Sequence, residues 1–508
     1  MKENMKKKWK VIFWCLIIIG IIARVYRFPV AIPEIHADEI MAAVNAKSIV
    51  ETGADIEGTT YPIYLKGWGG QSVMLLYLMA FCMKIFGFTL FSVRLPMLII
   101  SIISLFVFYD FIKKLSKNHM VTLIGLGIVC ISPWHIQQSI WSMDCNMFPH
   151  FLLFAMDICL NAIIKKKKIL LYFSMVMYGI SLYCYGLAIY IVPLFLLILA
   201  IYLIKTISIK ELLLCAFIFA IVATPIVTMF TINLFKLDTI HIGPITIPNY
   251  ESLNRTQDML LFSKTPVKQL IENAKSMLHV VIFQEDRAEW NGSPEFGTMY
   301  LISNLFVLVA IVNSIKHRKE QKGNVGAFMV HIWFILSLLI GIFINHANIN
   351  RLNALWYPMM ILVAEGIYAI YKMIPYKKTY QYGMILLYAS FWIAYSIYFH
   401  TSFYEKVNQS SCYSKGFYQS AVYASQEEVE HIYYDNTSHD GNLPLYISFT
   451  QKEGKQYHEI TNQEELEAAF AEKEQDKIII VQKKNAAKLE VEQEYGEFYV
   501  IVDRDFKQ

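Results

Sequence analysis

Charge is scarce in this sequence. Asp, Glu, Lys and Arg make up 17% of 508 residues against 56% hydrophobic ones, which excludes a single soluble core of ordinary composition and leaves a chain largely dissolved in lipid. A strong excess of either sign is missing too. The net charge of +4 and the confinement of basic residues to short clusters between apolar runs exclude a polyanion-binding face, and with it a nucleic-acid partner. Of the eight cysteines, Cys15, Cys130, Cys159, Cys184 and Cys215 lie in or at the ends of apolar runs and only Cys412 in a plainly soluble stretch, so no disulfide framework is implied. The first apolar run, 9–28, follows Lys6, Lys7, Lys8 and Lys10 and is not followed by a small-residue cleavage site. It reads as a retained signal anchor. Internal repeats and low-complexity segments are absent.

What is present is a series of apolar runs long enough to cross about 30 Å of hydrocarbon at 1.5 Å per residue. They fall at 9–28, 94–112, 119–133, 146–164, 169–184, 187–204, 211–230, 297–315, 326–344, 352–371 and 380–399. This predicts a polytopic α-helical membrane protein with about eleven transmembrane helices. A further apolar run, 71–88, sets the sidedness of everything after it. If it lies on the membrane surface, the N-terminus and the connectors 113–118, 165–168, 205–210, 316–322 and 372–378 are cytoplasmic and hold 21 Lys and Arg, while the short outer connectors hold only Arg351. If it spans, sixteen of those 21 move outside. The positive-inside rule therefore makes 71–88 a juxtamembrane helix of the outer face, with the protein in the cytoplasmic membrane and its N-terminus inside.

The expected organisation is a membrane-embedded domain, 1–400, with outer loops at 29–93, 132–145 and 231–296, followed by a small extracytoplasmic α/β domain, 401–508. In that tail, helical stretches at 419–431 and 463–474 alternate with strand-like runs at 443–449, 477–481 and 498–502.

All candidate chemistry falls in the outer regions. Asp38 and Glu39 stand together at a predicted helix start after Pro33-Glu34-Ile35-His36-Ala37, where Asp38 as a simple N-cap is the plain alternative. Asp144 precedes a span beside Trp141, and His135 sits in Ser132-Pro133-Trp134-His135. Two such helix starts on one side would form an acidic cleft for a hydroxyl or a metal ion. Lys66, Arg94, Arg287 and Arg351 are the cations of the same side, the last in Asn348-Ile349-Asn350-Arg351-Leu352-Asn353. Singly each suits a membrane headgroup; together with the acids they suggest a phosphate-bearing lipid-linked substrate.

In this order, Asp38-Glu39, Lys66, Arg94-Leu95-Pro96, Ser132-Pro133-Trp134-His135, Asp144 and Asn350-Arg351-Leu352-Asn353 resemble the multispanning glycosyltransferases of the C superfamily. The likeness is to the branch of protein O-mannosyltransferases and the lipid A aminoarabinose transferase, similar to glycosyltransferase family 39, and covers about 9–400. It implies a polyprenyl-phosphate sugar donor, an acceptor hydroxyl on a lipid, glycan or protein, and reaction at the outer face. It also implies Asp38 as catalytic base, Glu39 and Asp144 as its acidic companions, and Lys66, Arg94 and Arg351 as phosphate contacts; the residues themselves add His135, Arg287 and Asn350, on the same side, as further substrate-contact candidates. Because phosphate is a good leaving group, one carboxylate base and one or two cations suffice, and direct displacement predicts inversion. Mg²⁺ or Mn²⁺ would suit oxygen ligands from the three acids, and the cofactor is left open. The rival from another class is a transporter or flippase of a lipid-linked sugar. Such proteins place their charges near the bilayer midplane, whereas here they crowd at one face.

Overall fold

The computed structural model describes residues 2–250, 265–286, 288, 290–317, 323–408, 410, 412–472, 476–486 and 491–503. After α1 (Lys2–Val25) the chain enters α2 (Ala37–Thr52), a short hairpin of β1 (Tyr64–Leu65) and β2 (Gln71–Ser72), and α3 (Met74–Phe86). Helix α2 is capped by His36, not Asp38. The His36 ring accepts the N–H of Asp38, and the Glu39 side chain accepts the N–H of His36, a capping box closed at the far end by Gly53 with φ 77°. Helix α3 has 13 residues, about 20 Å at 1.5 Å per residue, short of the hydrocarbon thickness. It buries Leu75, Leu76, Met79 and Met83 and exposes Phe81, Ile85 and Phe86.

There follow α4 (Leu90–Ser116), α5 (His119–Ile131), α6 (Pro133–Ser139), α7 (Asp144–Lys165), α8 (Lys168–Ser181), α9 (Ala188–Leu203) and α10 (Ile209–Phe235). Beyond a hairpin of β3 (Ile240–Ile242) and β4 (Ile245–Ile247) come α11 (Pro266–Phe283), α12 (Ser303–Lys316), α13 (Val325–Phe343), α14 (Trp356–Met373) and α15 (Lys377–Thr401). Of the eleven expected spans, helix length and composition alone secure six among the described residues, α4, α7, α10, α13, Asn353–Met373 and α15, or seven if the bent pair α5 and α6 is one span. That pair turns by 53° at Pro133, whose ring cannot continue a helix from the preceding turn. Helices α12 and α14 pack so closely that a Cβ at Gly366 would lie 1.9 Å from the Phe306 carbonyl oxygen, so only glycine permits this crossing.

The C-terminal segment holds α16 (Phe403–Asn408), α17 (Phe417–Gln426), β5 (His431–Asp435), α18 (Leu443–Thr450), β6 (Gln456–Ile460), α19 (Gln463–Ala471), β7 (Lys477–Gln482), β8 (Gln493–Tyr495) and β9 (Phe498–Asp503). Its five strands order as β6-β5-β7-β9-β8, with β5 parallel to β6 and β7, and β9 antiparallel to β7 and β8. Strand β7 is central, with Ile478, Ile479, Ile480 and Val481 all buried, as expected of a strand covered on both faces. Two expectations are corrected. The stretch 443–449 is a helix, since Pro444 at its first turn is preorganised for one, and α17 ends at Gln426 so that His431 opens a strand. The segment docks on the first loop through Ala37 N–H to the Cys412 carbonyl (2.8 Å), the Tyr446 hydroxyl to the Ile35 carbonyl (3.0 Å) and Lys47 Nζ to the Ser448 carbonyl (2.8 Å).

Candidate active site

A cavity of about 550 Å³ opens where the first loop, the start of α7, the stretch before α12, the Asn348–Arg351 turn and the C-terminal segment meet. Asp38, Asp144, Asn350 and Arg351 all line it. Residues distant in sequence are joined here by the strand β2. Gln71 donates its side-chain amide to the Asp38 carbonyl (3.2 Å), and the next residue, Ser72, donates its N–H to Asp144 Oδ2 (2.9 Å). The two helix starts are thereby held to one short strand. A Cβ at Gly70, with φ 117°, would fall 2.5 Å from the Tyr64 ring, so glycine is what lets the hairpin close.

The acids differ in what they are offered. Asp144 Oδ1 also accepts the Cys145 N–H at 2.7 Å. The Asp38 side chain is 39% exposed, and His36 Nδ1 lies 3.9 Å from its carboxylate. Its carboxylate accepts no hydrogen bond among the described residues. Arg351 is anchored through its guanidinium to the Asn345 carbonyl and through its backbone N–H to Asn348 Oδ1 at 2.7 Å. Asn350 donates to Asn291 Oδ1 (2.6 Å), and Asn291 donates to Asp286 Oδ2 (3.0 Å).

Other expected site residues lie elsewhere. Glu39 is fully buried and saturated: it accepts from Arg94 Nε (3.0 Å) and Nη2 (2.9 Å), from the Ser142 N–H (2.9 Å) and from the His36 N–H (3.2 Å). Arg94, 1% exposed, spends its remaining donors on the carbonyls of Pro29, Ile32 and Glu34. A base needs an open lone pair and a phosphate contact needs an open donor, and this pair has neither. His135 is buried in α6, where Arg24 Nε and Nη2 donate to its Nδ1 at 3.2 and 2.8 Å, and its Nε2 meets Ser104 Oγ and the Tyr357 hydroxyl at 3.0 and 2.9 Å. It ties α1, α4 and α14 to the second loop. Lys66 is half exposed, 3.6 Å from Glu57 Oε2, and outside the cavity wall although Gly67 belongs to it. Arg287 lies outside the described residues. With Glu39 turned to Arg94, the three acids do not converge, and no group of three or more His, Cys, Asp or Glu able to hold a metal forms among the described residues.

His36 was within the acidic motif, yet its place in the site was not apparent from sequence. It is 3% exposed and packed edge-on against the rings of Trp141 and Tyr413. Burial pushes its pKa below the ordinary value, so the ring is neutral, and acceptance at Nδ1 of the Asp38 N–H places the proton on Nε2. Nearby, fully buried Glu34 receives Gln419 Nε2 at 2.5 Å and a hydrogen bond from Ser414 Oγ. Burial raises its pKa to about 7. An acid whose folded pKa is raised retains a proton that the unfolded chain has already lost, so its stabilising contribution is complete below about pH 4.5 and is lost as pH rises to about 7. Stability of the docked C-terminal segment is expected to fall across that window, and Glu34→Gln to flatten the fall. Hydrogen exchange of residues 412–419 against pH measures it; equal slopes in both proteins would remove Glu34 as the cause.

Trp290 and Asn291 also line the cavity, as do Gln71 and Asn442, which carried no sequence signal because neutral amides are ordinary in loops and at helix starts. Asn353 organises the wall from behind. It accepts from Trp134 Nε1 (2.8 Å) and Gln138 Nε2 (2.7 Å) and donates to the Cys145 carbonyl (3.0 Å) and Asn146 Oδ1 (3.1 Å).

Residues 70–228 match the family model described as dolichyl-phosphate-mannose-protein mannosyltransferase. Among curated proteins none matches. The fold is similar along nearly its whole length to ArnT from Cupriavidus metallidurans. Against the structure bound to undecaprenyl phosphate the TM-score is 0.55 at 9% identity, and against the apo structure 0.57 at 10%, each covering 98% of both chains.

Proposed function

We propose, on the premise of a C-superfamily glycosyltransferase fold, that this protein moves a sugar from a polyprenyl phosphate to an acceptor hydroxyl at the outer face of the cytoplasmic membrane. The observation that carries this reading is the contrast between the two neighbouring acids: Glu39 is saturated by four donors, while Asp38 is left open in a cavity that also holds Arg351. Asp38 takes the proton of the acceptor hydroxyl as its oxygen attacks the anomeric carbon. The bond from that carbon to the phosphate oxygen breaks, its electron pair stays with the phosphate, and Arg351 offsets the gathering charge. Attack opposite the departing phosphate inverts the anomeric configuration. Asp144, fixed by two backbone N–H groups, holds the hairpin that aims Asp38.

The sidedness of this reading is supported by the basic connectors and by α3, whose 13 residues suit a surface helix better than a span. Helix α1 and the shorter helices α8, α9 and α12 bring the bundle from seven to eleven crossings, and the C-terminal sheet stands outside. The relative of similar fold bound to undecaprenyl phosphate supports a polyprenyl phosphate as the donor lipid.

Transfer of radiolabelled sugar from synthetic polyprenyl phosphate donors by purified protein tests the reading; movement of labelled lipid in vesicles with no new glycosidic bond would replace it with transport. Arg351→Ala is expected to weaken binding of bare polyprenyl phosphate about tenfold or more, as loss of a charge-assisted contact does. Unchanged affinity in a direct binding titration would move the phosphate away from Arg351.

A further inference from the structure

A second cavity, of about 250 Å³, is walled by α7, α8, α9 and α10, and every side chain lining it is aliphatic, aromatic or sulfur-bearing. Such a wall offers water no strong hydrogen bond. Protein interiors hold few voids larger than a water molecule, so a space of this size calls for an apolar occupant. Two residues of the wall also belong to the outer surface of the bundle: Leu197 on α9 is 59% exposed, and Ala216 on α10 is exposed as well. The cavity is therefore open on the face turned to lipid.

The chain sets its depth and its mouth. The wall begins at Leu171, Leu203 and Leu212, each two or three residues from an exposed lysine, Lys168, Lys205 and Lys210. From Leu203 it reaches inward to Pro193, about 15 Å along α9 at 1.5 Å per residue, or half of a hydrocarbon core of about 30 Å. That is the depth of one leaflet. The connector from α7 to α8 adds Lys165, Lys166 and Lys167 at the same end, all exposed. Within 165–168 and 205–211 these six lysines stand against a single carboxylate, Glu211, which pairs with Lys168 and ties α8 to α10.

We propose that this cavity binds an acyl chain of an anionic phospholipid from the adjoining leaflet, with the lipid phosphate set among the lysines at the mouth. A neutral lipid would gain the apolar contact alone, whereas each lysine near the headgroup adds attraction to a negative one. The sugar donor is a different lipid. Its phosphate is assigned to the cavity at Asp144, at the opposite end of α7 from Lys165 and about 32 Å away at 1.5 Å per residue. The site stands whether or not the protein transfers sugar, and on the sidedness proposed above its leaflet is the cytoplasmic one.

The test titrates full-length protein, purified in detergent and freed of lipid, with dioleoyl phosphatidylglycerol or dioleoyl phosphatidylcholine. Native mass spectrometry reads the dissociation constant of the first bound lipid. The wild type is expected to bind phosphatidylglycerol about tenfold more tightly than phosphatidylcholine, and replacement of Lys166, Lys167, Lys205 and Lys210 by Gln to bring the two within about twofold. Ala216→Trp, which fills the cavity, is expected to lose about tenfold for phosphatidylglycerol, while Ala220→Trp, exposed on the same helix but outside the wall, stays within about twofold of wild type. Equal affinity of the wild type for the two lipids, or equal affinities of the two Trp variants for phosphatidylglycerol, overturns the site. One-for-one displacement of phosphatidylglycerol by bare polyprenyl phosphate overturns it too, in favour of the donor's own chain. The wild-type comparison and the lysine variant, altered only at exposed positions, decide the matter even if Ala216→Trp fails to fold.

Discussion

Asp38→Asn is expected to lower sugar transfer by about 10²–10⁴, the range typical for removal of a general base, while leaving donor affinity close to wild type. Asparagine keeps the shape and backbone of Asp38, so the His36 cap and the Gln71 contact to its carbonyl survive. What is lost is the acceptor of the hydroxyl proton. The release of bare polyprenyl phosphate from a loaded donor reports the step even with water as acceptor, so the assay does not depend on knowing the natural one. The signature is a fall in kcat with little change in KM, because the base contributes in the transition state more than in the bound ground state. Activity equal to wild type would remove Asp38 from the role, and a rise in KM alone would make it a binding group. Glu39→Gln provides the contrast. Its effect should appear first in stability, since Glu39 touches Arg94 and two backbone amides and lies outside the cavity wall.

The division between two adjacent acids explains why part of the site could be read from sequence and part could not. Asp38, Asp144, Asn350 and Arg351, which line one cavity, were legible as neighbours because each stands at a helix start or turn that the distribution of basic residues assigns to one side. Adjacency misled for Glu39. Consecutive residues on a helix project about 100° apart, so when Asp38 faces the cavity Glu39 must face the interior, where Arg94 awaits it. The same ion pair withdrew Arg94 from the phosphate contacts, and the burial of α6 withdrew His135. No local pattern marks either, because both depend on which helices become neighbours. In the tail, Leu443-Pro-Leu-Tyr-Ile-Ser-Phe449 alternates like a strand. The buried set Leu443, Tyr446, Ile447 and Phe449 shows a helical spacing that the alternation concealed, and Pro444 was the readable signal of it.

Breaking the Glu39–Arg94 pair is expected to destabilise the fold by about 3–5 kcal/mol, the cost of leaving one buried charge without its partner. Arg94→Met tests this in one direction: it retains the long side chain but abandons Glu39, 0% exposed, to two backbone N–H donors and frees three carbonyls, those of Ile32 and Glu34 buried. Glu39→Leu tests it in the other, stranding the guanidinium. Because the desolvation of both charges already offsets much of their attraction, the double replacement Glu39→Leu with Arg94→Met should cost clearly less than the sum of the single ones. Thermal unfolding of detergent-solubilised protein measures all three. The effect extends beyond stability, for the carboxylate holds the His36 N–H of the first loop and the Ser142 N–H of the second, one helix start on either side of the cavity. Destabilised single variants that still fold should therefore also lose transfer, through misplacement of Asp38 and Asp144, and recover part of it in the double replacement. A melting temperature for Arg94→Met equal to that of the wild type would show that the pair is dispensable, and would remove the frame on which the placement of Asp38 depends.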